Sequence, residues 1–323
     1  MTTSTGGVCV VGSFMMDLIA YAPRRPEPGE TLAGTDFVQT PGGKGFNQAV
    51  AAARCEVPTS MIGRVGQDLF GNQFVHALTI EGIAHDGVIR DESTGTGVGL
   101  PVVTEDGQNS IIIIPRANLR STPASIAAQR EVIESAKVLL LQLELPVEAV
   151  VEAAEIAHAA GVRVVLNPAP YTPLPDHLLE LCDVVVPNEV ELASWAGVDA
   201  EDRDEVCAAA DRLSRTHDID VVVTLGSRGV LVVEQGRRAT LIDRHVVEAV
   251  DTVGAGDTFC GQLCALLASG ENLQAAAVRA NAAAALAVTR RGGASSAPTR
   301  DEVDAFLVDS STIPTAPDGK DQP

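Results

Sequence analysis

The stretch Asp251-Thr-Val-Gly-Ala-Gly-Asp257-Thr-Phe259 sets a small-residue turn directly before an Ala/Leu-rich run with helical spacing. A turn of this kind leaves the first N–H groups of the helix unpaired, and the helix dipole adds positive charge there. The result is an anion site suited to phosphate. Asp257 stands at its mouth. A carboxylate beside a phosphate suits one task well: taking the proton from a hydroxyl that attacks a phosphoryl group. The chemistry indicated is phosphoryl transfer to an alcohol. A helix cap would also account for an aspartate at this position.

Two further clusters carry polar groups. Pro41-Gly-Gly-Lys44-Gly-Phe46-Asn47-Gln48-Ala49 precedes a helical pattern expected over Ala49 to Arg54. Its spacing is not that of a Walker loop. Its glycines are expected to let backbone approach a ligand, and Lys44 and Asn47 offer donors suited to hydroxyl groups. Gly12-Ser-Phe-Met15-Met-Asp17 follows the first apolar run, Val8 to Val11.

These motifs need elements to position them. Short β-branched runs read as strands at Val8–Val11, Ser60–Gly63, Val138–Gln142, Arg163–Asn167, Val184–Pro187, Val221–Thr224 and Gly229–Val233. Helical spacing fills the intervals, as at Val147–Ala160 and Glu201–Thr216. Apolar strands alternating with helices predict an α/β fold whose mostly parallel central sheet is covered on both faces. Ligands bind such sheets beyond the carboxyl ends of the strands, where the motifs fall. Segments 18–40 and 95–118 break the alternation and are expected to pair as a small antiparallel sheet. Ile111–Ile114 is apolar on both faces and needs cover on both. Gly95-Thr-Gly-Val-Gly99 is not a dinucleotide fingerprint, because no helix follows it. A kinase domain is expected over 1–308, and the polar, proline-containing residues 309–323 are expected to be a disordered tail.

With 43 acidic residues against 23 basic ones, a net charge of −20 argues against nucleic acid and anionic membranes as partners. No apolar run reaches the roughly 18 residues of a membrane span, and residues 1–7 lack the character of a signal peptide. The six cysteines form no C-x-x-C pair, which suits reduced thiols in a cytoplasmic protein. Cys260 and Cys264 fall on one helix face as expected core residues. The six histidines form no cluster.

The order of the three motifs resembles the ribokinase-like (PfkB) sugar kinases from about Val8 to Leu307. Leu141-Gln-Leu-Glu144, Leu166-Asn-Pro-Ala-Pro170, Pro187-Asn-Glu-Val-Glu191, Thr224-Leu-Gly-Ser-Arg-Gly229 and Ala287-Val-Thr-Arg290 extend the resemblance. It implies a three-layer α/β/α fold with a β-sheet lid, formed by the two irregular segments, and a homodimer in which two lids clasp. It implies an ATP-dependent kinase acting on a pentose, ribose foremost, with 2-deoxyribose, a nucleoside or a non-catalytic sugar-binding role as alternatives. A nucleoside would need an aromatic platform, and the region offers Phe14, Tyr21 and Phe37.

In that reading Asp257 is the base, and Gly254, Ala255 and Gly256 form the anion hole. Asp17, Gly43, Lys44, Asn47, Glu144 and Asp257 bind the sugar, with Met15 beside them. Asn188, Thr224, Leu225, Gly226, Ser227, Arg228, Gly229, Gly256, Asp257 and Asn281 bind ATP. Asn188 and Glu191 organise Mg²⁺ through water. Asp251, Val253, Ala287, Arg290, Gly292 and Ser296 hold an activating K⁺. Three departures from the family pattern bear on the sugar: Met15 where many ribokinases have asparagine, Phe46 in place of a small residue, and Arg116-Ala-Asn118 in place of Gly-Ala-Asn.

Overall fold

In the computed structural model, which describes residues 6–106 and 108–310, the apolar runs form two sheets. The strands are β1 (Val8–Val11), β2 (Met15–Ala22), β3 (Asp36–Gly42), β4 (Thr59–Gly66), β5 (Val88–Asp91), β6 (Gly97–Thr104), β7 (Asn109–Ile114), β8 (Val138–Leu141), β9 (Arg163–Leu166), β10 (Val184–Val185), β11 (Asp220–Thr224), β12 (Val230–Val233) and β13 (Thr240–Ile242). The helices are α1 (Lys44–Ala53), α2 (Leu69–Ile80), α3 (Pro123–Ala127), α4 (Arg130–Glu134), α5 (Val147–Ala159), α6 (Asp176–Glu180), α7 (Glu189–Ala196), α8 (Arg203–His217), α9 (Ala255–Ala268), α10 (Leu273–Ala287) and α11 (Arg300–Ser310).

The main sheet has nine strands in the order β13-β12-β11-β10-β9-β8-β1-β4-β5. All neighbours are parallel from β11 to β5, whereas β12 and β13 join antiparallel. Strand side chains alternate between faces, and here both faces are buried. Val8, Val10, Leu140 and Val222 enter one core with α1, α2, α9 and α10. Cys9, Val11, Leu139 and Val221 enter a second core with α5 to α8. Strands apolar at every position therefore mark a sheet between two helical layers. The sequence reading missed β5 and β13, whose residues are only partly buried and carry a weaker apolar signal.

The second sheet, β3-β2-β6-β7, corrects the expectation of an antiparallel lid. Its central pair, β2 and β6, is parallel, and only the outer pairs are antiparallel. The reason is connectivity: β4, α2 and β5 lie between the two central strands, so the chain returns in the same direction. The ladders put Asp17 opposite Gly99, and Gly99 opposite Ile113. Ile111–Ile114 is exposed on both faces, Ile112 by 66%.

The helix after the glycine cluster begins at Lys44, not Ala49. Gly43 supplies its N-cap at φ 92°, a conformation open to glycine and strained for other residues. The last helix runs to Ser310, so residues 309 and 310 of the expected tail are helical, and residues 311–323 lie outside the described residues. Residues 1–5 of the N-terminal reading do too. Among the described residues no helix is long and apolar enough to cross a membrane. The six cysteines are unpaired. Cys260 and Cys264 are both core residues, and burial pushes their thiols up, out of the reactive range.

Candidate active site

The site lies beyond the carboxyl ends of β1, β8, β9, β10 and β11, between the main sheet and the lid. Helix α9 starts here. Gly254 caps it at φ 76°, and a side chain there would strike Gly293 Cα at 2.8 Å. Ala255 N–H is partly engaged, 3.3 Å from Thr252 O. The Gly256 backbone has open space on its outer side, so a ligand can reach it.

Asp257 follows in the first turn and is 92% buried, at 8% exposure. Its Oδ2 accepts from Asn47 Nδ2 and its Oδ1 from Gln48 Nε2, both at 2.9 Å. Both partners come from the N-terminal half of α1. The two helices cross closely because Gly261, one turn below Asp257, lies against Gln48 O and Ala51 Cβ. A side chain at Gly261 would force them apart.

The sugar-side residues converge from four elements. Glu144 follows β8, accepts from Lys44 N–H at 2.9 Å and receives the Ser13 hydroxyl. Asp17 sits on β2 between Gly42 and Gly99, where a side chain at either glycine would collide with its carboxylate. Burial, and then the nearby Glu144 charge, push Asp17 up to about 6. For Lys44, burial acts to lower its pKa, but Asp257, Glu144 and Glu191 act to raise it, and the net is upward. An ammonium among three carboxylates is thus held charged. Asn47 keeps its Oδ1 buried and unpartnered. Met15, two residues before Asp17 on β2, shares its face and is 5% exposed.

Several expectations are corrected. The glycines of the Pro41–Ala49 cluster serve close packing of the chain on itself more than approach to a ligand. Gly43 lies against Met15 N, at 2.7 Å from an added Cβ, and Gly45 against the backbone of Gly12 and Ser13. Phe46 faces the core, 3% exposed, its ring 5.0 Å from Phe74 and 6.3 Å from Phe14, so it does not read the sugar. Phe14 is fully buried and offers no platform for a base. Arg116 takes φ 46°, the left-handed region that favours glycine, and lays its guanidinium on Gly95. Asn118 clamps both backbone groups of Phe14, at 2.9 and 2.8 Å.

A cleft of about 540 Å³ opens on the other side of α9, of a size that holds a nucleotide. Asn188, Thr224, Gly226, Ser227, Gly229, Gly256 and Asn281 line it, as expected. Leu225 and Arg228 do not: the first is 2% exposed in the core, and the second is tied to Glu189 at 2.8 Å and to Ala200 O at 2.9 Å. Sequence reasoning missed the walls His245, Val246 and Val247, because that segment has no periodic pattern. Asn281 Nδ2 donates to Asp243 O at 2.9 Å, bracing the same segment.

A smaller cavity of about 220 Å³ joins this cleft to Asp257 and is lined by Lys44, Asn188, Glu191 and Gly256 among others. Asn188 and Glu191 form a capping box at the start of α7, with bonds of 2.7 and 2.8 Å. Burial, opposed by the Asn188 N–H and Lys44 and aided by Asp257, holds the Glu191 carboxyl above its ordinary range.

Behind the α9 turn, Asp251 Oδ1 accepts from Val253 N–H and its Oδ2 from Gly292 N–H, each at 3.0 Å. Gly292 is at φ 98°, Ser296 Oγ donates to Gly293 O, and Arg290 N–H donates to Ala287 O while its guanidinium pairs with Glu302. The 250–253 and 287–296 segments are thus stitched together.

Residues 6–300 match the pfkB family carbohydrate kinases. The chain belongs to that family. It is a sugar kinase, a phosphotransferase with an alcohol acceptor. It is 38% identical to a ribokinase of Haemophilus influenzae over 300 residues, 92% of this chain and 97% of that one. It is 35% identical to a deoxyribokinase of Salmonella typhi over 93% of this chain and 98% of that one. Its fold superposes on a ribokinase of Arabidopsis thaliana complexed with ribose and ATP, with a TM-score of 0.89 and 32% identity, covering 94% of this chain and 99% of that one.

Proposed function

We propose that the chain transfers the γ-phosphoryl group of ATP to the primary 5-hydroxyl of D-ribose, giving D-ribose 5-phosphate. The observation that carries this reading is the place of Asp257, between a polyol-sized cluster of Asp17, Lys44, Asn47 and Glu144 and the open N-terminus of α9. The carboxylates of Asp17 and Glu144 accept from adjacent sugar hydroxyls, and Lys44 and Asn47 donate. Asp257 takes the proton as the hydroxyl attacks. The backbone N–H groups of Gly254, Ala255 and Gly256 meet the charge that develops on the phosphoryl oxygens, and donors of this kind are worth about 3–4 kcal/mol.

ATP occupies the large cleft, its phosphates toward Gly256. The site fits Mg²⁺: Asn188 and Glu191 offer oxygen, and the capping box uses one carboxylate oxygen of Glu191 and leaves the other open. Mg²⁺ carried with the nucleotide neutralises phosphate charge. Asp251, Val253, Ala287, Arg290, Gly292 and Ser296 form the site for K⁺, mostly through carbonyl oxygens. The exposed apolar strand β7 is the homodimer contact, and the unpaired cysteines suit the reducing cytoplasm.

Met15 favours a second reading, a kinase for 2-deoxyribose, because a thioether beside Asp17 offers a hydroxyl no donor and only a weak acceptor. A non-catalytic sugar-binding role is disfavoured by the intact base and turn. The deciding experiment is an ATP-consumption screen over ribose, 2-deoxyribose, ribonucleosides and hexoses. Ribose is expected to give the highest kcat/KM. 2-Deoxyribose in first place would overturn the proposal in favour of the second reading, and a nucleoside or hexose in first place, or no turnover at all, would overturn both.

A further inference from the structure

We propose that Gln48, Gln142 and Asn167 form a buried amide relay that aims the Asp257 carboxylate, with Gln48 as the positioning residue. The inference rests on the reading of Asp257 as the base. Gln48 is fully buried in α1, Gln142 is 1% exposed just past β8, and Asn167 is 8% exposed just past β9. The three come from separate elements and meet beside Asp257, with Asn167 also lining the small cavity next to it.

The direction of every bond follows from the carboxylate. Asp257 only accepts, so Gln48 must turn its Nε2 to it, at 2.9 Å. The second N–H of that amide donates to Asn167 Oδ1 at 3.0 Å, and Asn167 Nδ2 donates in turn to Val186 O at 2.8 Å. Gln48 Oε1 then points at Gln142 and accepts from its Nε2 at 2.6 Å. Each amide is thereby locked in one orientation. Together with Asn47 on Oδ2, the relay fixes both oxygens of the carboxylate and hence the direction from which it accepts a proton.

A role in core packing alone does not explain the residues. Leu and Met fill such positions in an Ala/Val/Leu core without polar cost, whereas a buried polar atom left unmade costs about as much as a lost hydrogen bond. Gln142 carries that cost: its Oε1 is buried with no partner, packed toward Gly12. Its one polar bond is the one that orients Gln48.

The test compares the full chain with Gln48→Met, Gln142→Met, the double variant and Asp257→Asn, using the sugar that wins the substrate screen. Steady-state kinetics, ATP binding by calorimetry and Tm are measured for each. Gln48→Met is expected to lose on the order of ten- to a hundredfold in kcat, with KM and Kd for ATP within about twofold of the parent. Gln142→Met is expected to lose less, and the double variant no more than Gln48→Met, because Gln142 acts only through Gln48. General destabilisation would instead multiply the two losses, which overturns the relay. It is also overturned if Gln48→Met keeps kcat within about twofold while Asp257→Asn is inactive. Near-parental activity in Asp257→Asn defeats the reading of the base and the relay together. If Gln48→Met does not fold, Gln142→Met decides alone: parental kcat refutes the relay, and a kcat loss at unchanged ATP affinity supports it.

Discussion

Asp257 combines burial, two amide donors and a place at a helix N-terminus, a set that makes sense for a carboxylate that must accept one proton from one direction. Asp257→Asn keeps the shape and removes the basicity. Turnover is expected to fall by about 10²–10⁴-fold with ATP affinity retained, as read by a coupled assay and an ATP titration; a loss under about threefold would contradict the role. Met15 lies two residues from Asp17 on the same face of β2, so it is placed to read a neighbouring hydroxyl. A hydroxyl without a partner in a closed site costs about 1–3 kcal/mol. Met15→Asn is therefore expected to raise kcat/KM for ribose relative to 2-deoxyribose by roughly ten- to a hundredfold, and an unchanged ratio would show that Met15 does not read the 2-position. Asp17 gives a pH dependence. Burial and the Glu144 charge raise its folded carboxyl to about 6 from an ordinary value of 3.8, so folding favours the protonated form relative to the unfolded chain. That stability is fully present below the unfolded value and is lost as pH rises through about 6. Sugar binding needs the other form, the carboxylate. The sugar's kcat/KM is therefore expected to fall as pH drops below about 6, and this limb should vanish in Asp17→Asn. A limb that survives in that variant belongs to another group.

At the scale of elements, the site depends on two loops and one helix crossing. The crossing of α1 and α9 at Gly261 carries Asn47 and Gln48 to Asp257. The loops 250–253 and 287–296 brace the turn that caps α9, through Asp251 and the close approach of Gly254 to Gly293. A cation held by carbonyls of these loops would order the N–H groups in front of them. Adding K⁺ to a buffer with only Tris or choline counter-ions is expected to raise kcat, and a flat response would count against the cation site. The lid shows how small residues take their meaning from neighbours. Gly95-Thr-Gly-Val-Gly99 makes room for Arg116, Asn118 and Asp17, a purpose invisible in the stretch itself.

For the whole molecule, the salient surface feature is β7. Ile111–Ile114 is uncovered among the described residues, and Phe37, 60% exposed, lies on β3 at the opposite edge of the same sheet. The proposed homodimer contact rests on the β7 patch, since on a molecule of net charge −20 the charge elsewhere opposes random association. In a two-fold dimer every substitution counts twice. Ile112→Lys is expected to weaken association by at least about a hundredfold, seen as a monomer by sedimentation at concentrations where the parent is a dimer. A monomeric parent at micromolar concentration would refute the lid contact.

The main sheet was legible in the chain because strands buried on both faces are apolar at successive positions, and Val8–Val11, Val138–Leu141 and residues 221–223 are such runs. The reaction class was legible too, because the glycine turn, helix and aspartate stand in order with the other motifs that resemble the family. Edge strands β5 and β13 were not, because a half-buried strand carries a weaker pattern. Nor was the parallel pairing of β2 with β6, which depends on what the chain does between them. Only the tertiary structure separated Phe46, which looks like a change at the sugar but packs in the core, from Met15, which faces Asp17. It alone revealed Gln48, Gln142 and Asn167 around one carboxylate. Local sequence determines which segments are strands and helices and which residues can do chemistry. Which of them meet is decided by long-range packing, because the amides that bond Asp257 lie 210 and 209 residues from it along the chain.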